Sequence, residues 1–300
     1  MRVPSPFITA ILVAFCVWPT PGRSRDQIDP AASLESRIGP TPAAVLKMFT
    51  DEGLAPTAHV LTTVERRKLS QAFAALPPLH RRVLTERLRS VSFLDGMPNT
   101  ALTSPVNPEE PYRLFNITIR AGVLGDNVSR FLTQKERTCF DTAGSSLSVS
   151  VEAGTMDAIV YVLLHEATHV VDSSLRITPA DGAPATAFTD GVWSARTLIA
   201  PPYRDPLLER VTFRASGEVL PIARAEAVYA ALRRTPFVSL YGSSNWGDDL
   251  AEFVTWYHFA EKLQQPYRIV IRDAGKETFV YEPMKSPTVR RRFDQINRFY

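Results

Sequence analysis

The stretch that decides the fold is "YVLLHEATHVVD", residues 161–172. Two histidines, His165 and His169, stand four residues apart in an otherwise apolar segment, and Glu166 directly follows the first. The spacing of the apolar residues predicts a helix with a broad buried face, with Thr155 as its N-cap. In such a helix the two imidazoles lie on the same side, one turn apart.

Two imidazoles in this arrangement can bind one cation from the same side, and zinc prefers such nitrogen ligands. Glu166 is rotated by about 100° from His165, so its carboxylate lies beside the metal rather than on it. There it can accept a proton from a water molecule that attacks a carbonyl group. The pattern therefore predicts Zn²⁺ bound by His165 and His169, with Glu166 as the general base.

A third protein ligand is needed. The next histidine is His258, too far along the chain for the arrangement in which a third histidine soon follows the motif. A later helix can supply a carboxylate instead, because Asp248 and Glu252 lie four residues apart in "SLYGSSNWGDDLAEFVTWYH", residues 239–258. One acid of such a pair can bind the metal while the other forms a hydrogen bond to a ligating imidazole. Asp172, on the histidine face of the first helix, is a candidate to support His169, although a plain salt bridge explains it equally well.

The two segments together resemble the anthrax lethal factor-like zinc peptidases and their bacterial relatives among the gluzincins. The resemblance covers residues 161–172 and 239–253, where HExxH is followed by Y-G-x-x-x-x-x-[acid]-x-x-A-E. It implies that Asp248 is the third ligand, in place of the glutamate that the family uses, with Glu252 as the alternative ligand or as the support of an imidazole. It also implies that Tyr241 assists the transition state.

We expect an α+β fold: a zincin-like catalytic domain, whose active-site helix packs on a small mixed or antiparallel sheet, plus N-terminal helices. Alternating segments predict strands in "YRLFNITIRAGVL" and in "SSLSVSVEAG", and "YRIVIR-DAGK-ETFVYE" predicts a hairpin. The edge strand that we expect to hold extended substrate is Ser145–Val151.

The predicted organisation has four parts. Residues 1–22 form a signal peptide and 23–40 a flexible lead-in; 41–105 form an N-terminal helical region and 106–300 the zincin-like metallopeptidase domain. Arg2 precedes an apolar run of about 12 residues, too short to span a bilayer, followed by Pro and Gly. This layout predicts export, to the periplasm or the medium, with an uncleaved anchor as the alternative. Once the signal peptide is removed, Cys139 is the single cysteine, and we expect it to be a buried structural thiol.

Composition narrows the class of partner. The apolar fraction of 45% is that of a globular protein, and a formal net charge of +3 is too small and too evenly spread to indicate nucleic-acid binding. The predicted function is therefore that of an exported zinc-dependent peptidase acting on a peptide or protein substrate, with no stable membrane span. Two alternatives stay open: a non-catalytic exported binding protein on the same fold, and a zinc hydrolase of a non-peptide amide.

Overall fold

The computed structural model describes residues 28–107, 113–215 and 217–300. Within them the chain has the α+β architecture that the sequence predicts, with helices and several small sheets. The helices are α1 (Ala43–Asp51), α2 (Thr63–Ala75), α3 (Pro78–Arg87), α4 (Val128–Arg137), α5 (Ala158–Leu175), α6 (Ala225–Arg233), α7 (Trp246–Tyr257) and α8 (Pro287–Arg290). The strands are β1 (Thr57–Ala58), β2 (Leu88–Asp95), β3 (Ala101–Pro105), β4 (Phe115–Arg120), β5 (Phe140–Asp141), β6 (Leu147–Glu152), β7 (Trp193–Ala195), β8 (Leu198–Ile199), β9 (Leu220–Pro221), β10 (Arg268–Asp273) and β11 (Lys276–Tyr281).

The motif helix α5 is the centre of the molecule. It is apolar on almost all sides, and such a helix must be buried. Helices α2, α3, α4 and α7 and strand β3 pack around it. The predicted N-cap Thr155 is wrong, since the helix begins later, with Asp157 as its N-cap residue. The Asp157 carboxylate lies 2.7 Å from the Lys68 ammonium of α2, which anchors the start of α5 to that helix.

A four-stranded sheet in the order β1-β2-β4-β3 covers one side of α5. Strand β2 is parallel to β4, while β1 and β3 are antiparallel to their neighbours, so the sheet is mixed. Two of these strands lie in residues 88–105, which the sequence analysis placed in a helical region. Both of them, β2 and β3, pair directly with β4, so the sheet crosses the predicted boundary at residue 105.

The N-terminal helices α2 and α3 share one hydrophobic core with α5. A reciprocal pair of hydrogen bonds between Thr62 and Glu65 caps α2. Pro78 occupies the first turn of α3, where a backbone N–H would have no hydrogen-bond partner within the helix, so the absence of this group in proline costs nothing. The part of the predicted flexible lead-in that the structure describes, residues 28–40, is structured instead. It contains a 3-10 turn, Leu34–Arg37, which ends in a buried arginine.

Arg37 holds this lead-in against the end of α3. Its guanidinium donates hydrogen bonds to the carbonyl oxygens of Leu84 and Leu88, at 2.6 and 2.7 Å, and of Thr85, at 2.7 Å. The last carbonyl groups of a helix lack partners within the helix and carry partial negative charge. A buried guanidinium at this end donates hydrogen bonds to them and also compensates that charge.

A second sheet has the antiparallel order β11-β10-β6, and the predicted hairpin forms its β10–β11 pair, with Ala274 and Gly275 at positive φ in the turn. Strand β6 is an edge strand of this sheet, but α4 covers its outer side. The hydroxyl of Thr133 accepts a hydrogen bond from Val151 N, and the hydroxyl of Ser129 accepts one from Ala153 N. The expectation that Ser145–Val151 holds substrate is therefore wrong, because side chains of α4 already satisfy the backbone of that strand.

Helix α7 is fixed from its far side by the C-terminal segment. Arg292 and Asp249 form a buried ion pair with the closest atoms 2.8 Å apart, and the indole N–H of Trp193 donates to the same carboxylate at 2.9 Å. After Tyr257 the helix continues as a π-helical turn, His258–Lys262. These contacts set both the position of α7 and its rotation.

Cys139 is fully buried, as predicted for a structural thiol, and burial raises the pKa of that thiol. Among the described residues, no helix combines the length and the hydropathy needed to cross a membrane. The predicted signal peptide, residues 1–22, lies outside the described residues.

Candidate metal centre

Three side chains bring ligand atoms to one point between α5 and α7. The Nε2 atoms of His165 and His169 are 3.2 Å apart, and Oδ1 of Asp248 lies 3.6 and 3.5 Å from them. Ligand atoms at zinc–nitrogen and zinc–oxygen distances of about 2.0–2.1 Å are about 3.3 Å apart around a tetrahedral ion. The three residues thus fit a tetrahedral zinc with one position left for water or substrate.

Asp248 reaches this point because of the way α7 begins. Asn245 is the N-cap residue, and its Oδ1 accepts hydrogen bonds from the backbone N–H groups of Gly247 and Asp248, both at 3.0 Å. The Nδ2 of the same side chain donates to Asp248 Oδ2 at 2.6 Å. One oxygen of Asp248 is therefore held by the cap while the other faces the imidazoles.

Glu252, one turn further along α7, supports His165 instead of joining the ligand atoms. Its Oε1 lies 3.0 Å from His165 Nδ1, in a close charged contact rather than a well-aligned hydrogen bond. Tyr161 donates a hydrogen bond to Oε1, and Ser239 donates one to Oε2 at 2.6 Å. Of the two alternatives for the third ligand, the geometry favours Asp248, and Glu252 holds the other side of the imidazole.

The charges of the site are mutually compensating. Burial by itself raises the pKa of Glu252, but Lys135, His165 and Ser239 together lower it to about 2. Burial likewise raises the pKa of Asp248, but the hydrogen bonds and charges of the two imidazoles outweigh this effect and hold the pKa well below its usual range. Burial lowers the pKa of His165, but the carboxylates of Asp248 and Glu252 raise it to about 9. The site thus has two ionised carboxylates that attract a cation, one buried (Glu252) and one half-buried (Asp248).

Glu166 lies next to the ligand atoms, and a hydroxyl group from the sheet fixes its direction. Thr103 of the edge strand β3 donates to Glu166 Oε2 at 2.6 Å. The same hydroxyl lies 3.3 Å from the backbone oxygen of Glu166. The sheet therefore orients the carboxylate that the sequence predicts as the general base.

Tyr241 lies against the site and keeps its proton. Its ring stacks on His165 with the ring centroids 5.6 Å apart and meets the edge of Phe213 at 5.2 Å. Burial, together with the charges of Asp248 and Glu166, raises the pKa of Tyr241. A protonated hydroxyl at this position can donate a hydrogen bond to a developing oxyanion.

Asp172 does not support His169. Its carboxylate accepts hydrogen bonds from the backbone N–H and the hydroxyl of Thr178, at 2.7 and 2.6 Å, and so closes the turn after α5. In the described residues no contact joins Asp172 to His169. The left-handed backbone of Arg176 ends the helix just beyond Asp172, and the chain turns back so that Thr178 reaches that carboxylate.

Two cavities flank the ligand atoms. One, of about 870 Å³, is lined by His169 and Asp248 among others, and the other, of about 590 Å³, by His165, Glu166 and Tyr241. There is therefore space on both sides of the ligand atoms for parts of a chain-like ligand that passes across them.

Several residues of the site are absent from the sequence prediction. Asn245 could have been recognised from the "NWGD" pattern, since an asparagine three residues before an acid at a helix start is a typical cap. Tyr161 lies one helical turn before His165, but nothing in its spacing identifies its hydrogen bond to Glu252. Ser239, Thr103 and Lys135 reach the site only through the tertiary fold.

Comparison of the chain with protein-family models, with curated proteins and with solved structures finds no match.

Proposed function

We propose that the chain is a zinc-dependent peptidase with a zincin-like catalytic domain. The observation that carries the proposal is the triangle of His165 Nε2, His169 Nε2 and Asp248 Oδ1, whose sides of 3.2 to 3.6 Å suit a tetrahedral zinc. The acid that follows the first histidine lies beside this triangle and is oriented by the sheet. Metal ligands and a separate, positioned base are the two requirements for hydrolysis by a metal-activated water.

When bound, zinc lowers the pKa of a water molecule toward neutrality and polarises the substrate carbonyl. Thr103 holds Oε2 of Glu166, so we assign Oε1 as the atom that takes the proton from the attacking water and then delivers it to the leaving amine. Tyr241 donates a hydrogen bond to the oxygen of the carbonyl as negative charge develops there. Glu252 and Asn245 keep His165 and Asp248 in place during these steps.

A peptide is the substrate class that suits the surroundings of Glu166. Strand β3 pairs with β4 on one side, and it is the last strand of its sheet within the described residues. Thr103 of this strand donates a hydrogen bond directly to Glu166, the proposed general base. An extended peptide that adds to β3 as a further strand would place its backbone next to Glu166, and the two cavities would receive side chains on either side.

The test is to measure zinc content and peptide cleavage in the same preparations. We expect about one zinc per chain, loss of zinc in His169→Ala, and retained zinc without cleavage in Glu166→Gln. Glu226→Gln, which changes an exposed acid on α6, is the matched control and should keep both properties. Folded protein that binds no zinc contradicts the proposal. Protein that binds zinc but cleaves no member of a broad peptide library points to a non-peptide amide.

We also propose that the protein is exported, from the charge and apolar pattern of residues 1–22. The N-terminal sequence of the protein recovered from the periplasm or the medium should begin shortly after Gly22 or Ser24. A chain that retains Met1 and sediments with membranes would show that the segment is an uncleaved anchor.

A further inference from the structure

The cavity of about 590 Å³ that Tyr241 lines is positively charged. Its lining includes the basic side chains of Lys135 and Arg120, the imidazole of His165 from the candidate metal centre, and a single acid, Glu166, which is the proposed catalytic base. Lys135 and Arg120 are both half-buried, and the ordinary expectation for such a basic group is a nearby acid that neutralises it. In this cavity, as far as the structure describes it, neither basic side chain has an acidic partner within 4 Å.

Lys135 is held in place by aromatic rings. Its ammonium lies 3.5 Å from the ring centroid of Tyr241 and 5.7 Å from that of Phe213, both within the range of a cation–π contact. Two buried acids, Glu136 and Glu252, lie close enough to feel its charge, which contributes to the low pKa of Glu252. A lysine fixed on an aromatic ring loses less conformational entropy when it binds an anion than a freely moving one.

Arg120 lies at the end of β4, on the same cavity. Its guanidinium makes a long contact of 3.5 Å with the backbone oxygen of Pro98. A guanidinium has five N–H donors in a planar fork that matches a carboxylate. The contact with Pro98 uses one of these donors, and within the part of the chain that the structure describes the others remain for a ligand in the cavity.

We propose that this cavity receives a carboxylate of the substrate, with Lys135 as the principal contact and Arg120 as the second. The inference rests on the proposed peptidase function and adds the chemistry of the substrate to it. Because Lys135 lies on the ring of Tyr241, which itself stacks on His165, the carboxylate belongs to a residue close to the scissile bond. Two sources share this chemistry: the side chain of Asp or Glu, and the C-terminal carboxylate of a peptide.

The first experiment compares matched peptides. A fluorogenic peptide is made with Asp, and then with Asn, at each position around the scissile bond, and with a free or an amidated C-terminus. A charge-assisted contact predicts that kcat/KM for the zinc enzyme is higher by about tenfold or more for the acid at one position, or for the free C-terminus. In Lys135→Met this ratio should fall to near one, whatever happens to the absolute rate.

Lys262→Met is the matched control. Lys262 also lies over aromatic rings, 4.6 Å from the centroid of Tyr300, but it is remote from the cavity. This variant should keep the wild-type ratio. An equal loss of the ratio in both variants would show that removing any ring-bound lysine has the effect, and the proposal would be wrong.

The second experiment measures binding without metal, so that zinc itself cannot be the group that attracts the carboxylate. Fluorescence anisotropy with the same labelled peptides on the metal-free protein should give a lower Kd for the acid than for the amide, and Lys135→Met should remove the difference. Equal Kd values, or cleavage without any preference for the acid, overturn the proposal while the peptidase function stands. Absence of zinc and of all cleavage would instead contradict the proposed function. The ratio of the Kd values for the amide and acid peptides would still decide whether the cavity selects carboxylates.

Discussion

Asn245 acts on Asp248 through both ends of its side-chain amide. The amide oxygen accepts a hydrogen bond from Asp248 N at 3.0 Å, and the amide nitrogen donates one to Asp248 Oδ2 at 2.6 Å. The residue that starts α7 is therefore also the residue that directs the Asp248 carboxylate toward the imidazoles.

These two roles can be separated by substitution. Serine is a good N-cap but cannot reach Asp248 Oδ2 as the amide does, so Asn245→Ser should keep the stability of the metal-free protein and lose zinc affinity by about tenfold or more. Asn245→Ala should show the same loss of affinity and lose in addition about 1 kcal/mol of unfolding free energy. Zinc affinity is measured by competition with a chelator and stability by urea unfolding. Wild-type affinity in Asn245→Ser would show that the amide nitrogen does not position the ligand.

The contact between Thr103 and Glu166 predicts a kinetic effect. Thr103→Val keeps the shape of the side chain but removes its hydroxyl, so Glu166 loses its hydrogen bond at Oε2. We expect kcat to fall by about tenfold while KM changes little, because the interaction serves the proton transfer rather than binding. Thr103→Ser retains the hydroxyl and is the control. A higher KM with unchanged kcat would show instead that Thr103 contributes to substrate binding.

His80 predicts how the metal-free protein responds to acid. It is fully buried, Nε2–H donates to Thr168 Oγ1 at 2.9 Å, and Nδ1 has no partner within the described residues. Burial, together with the charge of His258, lowers the pKa of His80 to about 3 from its ordinary 6.5. The unfolded chain therefore binds a proton between these pH values that the folded chain does not, and stability falls as the pH falls through this window.

The measurement is urea unfolding at a series of pH values in the presence of a chelator. His80→Gln should reduce the loss of unfolding free energy in acid by up to roughly 5 kcal/mol across the window, with the difference from wild type growing as the pH falls. His59→Gln is the control with the opposite sign. Burial slightly disfavours the charged form of His59, but Asp95 and Glu65 raise its pKa, so it stabilises below pH 6.5 and loses that effect as the pH rises. A pH profile unchanged by His80→Gln would contradict the assignment.

Arg37 predicts that the segment before α1 contributes to stability. Arg37→Met removes a hydrogen-bond donor from three carbonyl groups at the end of α3, and we expect a loss of about 2 to 4 kcal/mol in unfolding free energy. Arg37→Lys keeps the charge but not the planar fork, and its loss should be smaller. Faster cleavage of residues 28–40 by an added protease should accompany the loss. Unchanged stability in Arg37→Met would mean that water replaces the guanidinium without cost.

The parts of the site that follow from the sequence are those set by one helix or by a short spacing. His165, Glu166 and His169 needed only the periodicity of α5. The i, i+4 relation of Asp248 and Glu252 gave two candidates for the ligand, and the rotation of α7 in the structure brings Asp248 to the imidazoles. That rotation depends on Arg292, which lies 43 residues away from Asp249 in the chain, and no local pattern reports such a contact.

The errors have the same origin. The sequence of β2, "LRSVSFLD", follows a helical segment without a Gly or Pro break, so nothing local marks the change at Leu88. Ser145–Val151 has the alternation of an edge strand, but the hydroxyls of α4 that cover it are visible only in the fold. Asp172 lies on the expected face of α5, yet the turn that brings Thr178 to it is a property of the following loop.

Helix α7 places three acids within five residues, and each serves a different partner. Asp248 faces the imidazoles, Asp249 pairs with Arg292, and Glu252 receives the hydrogen bonds of Tyr161 and Ser239. Inserting or deleting a single residue between Asn245 and Glu252 would turn the acids on one side of the change by about 100° relative to those on the other. The segment thus has one workable length, because a change in its number of residues would separate Asp248 from the imidazoles of the candidate metal centre or Asp249 from Arg292.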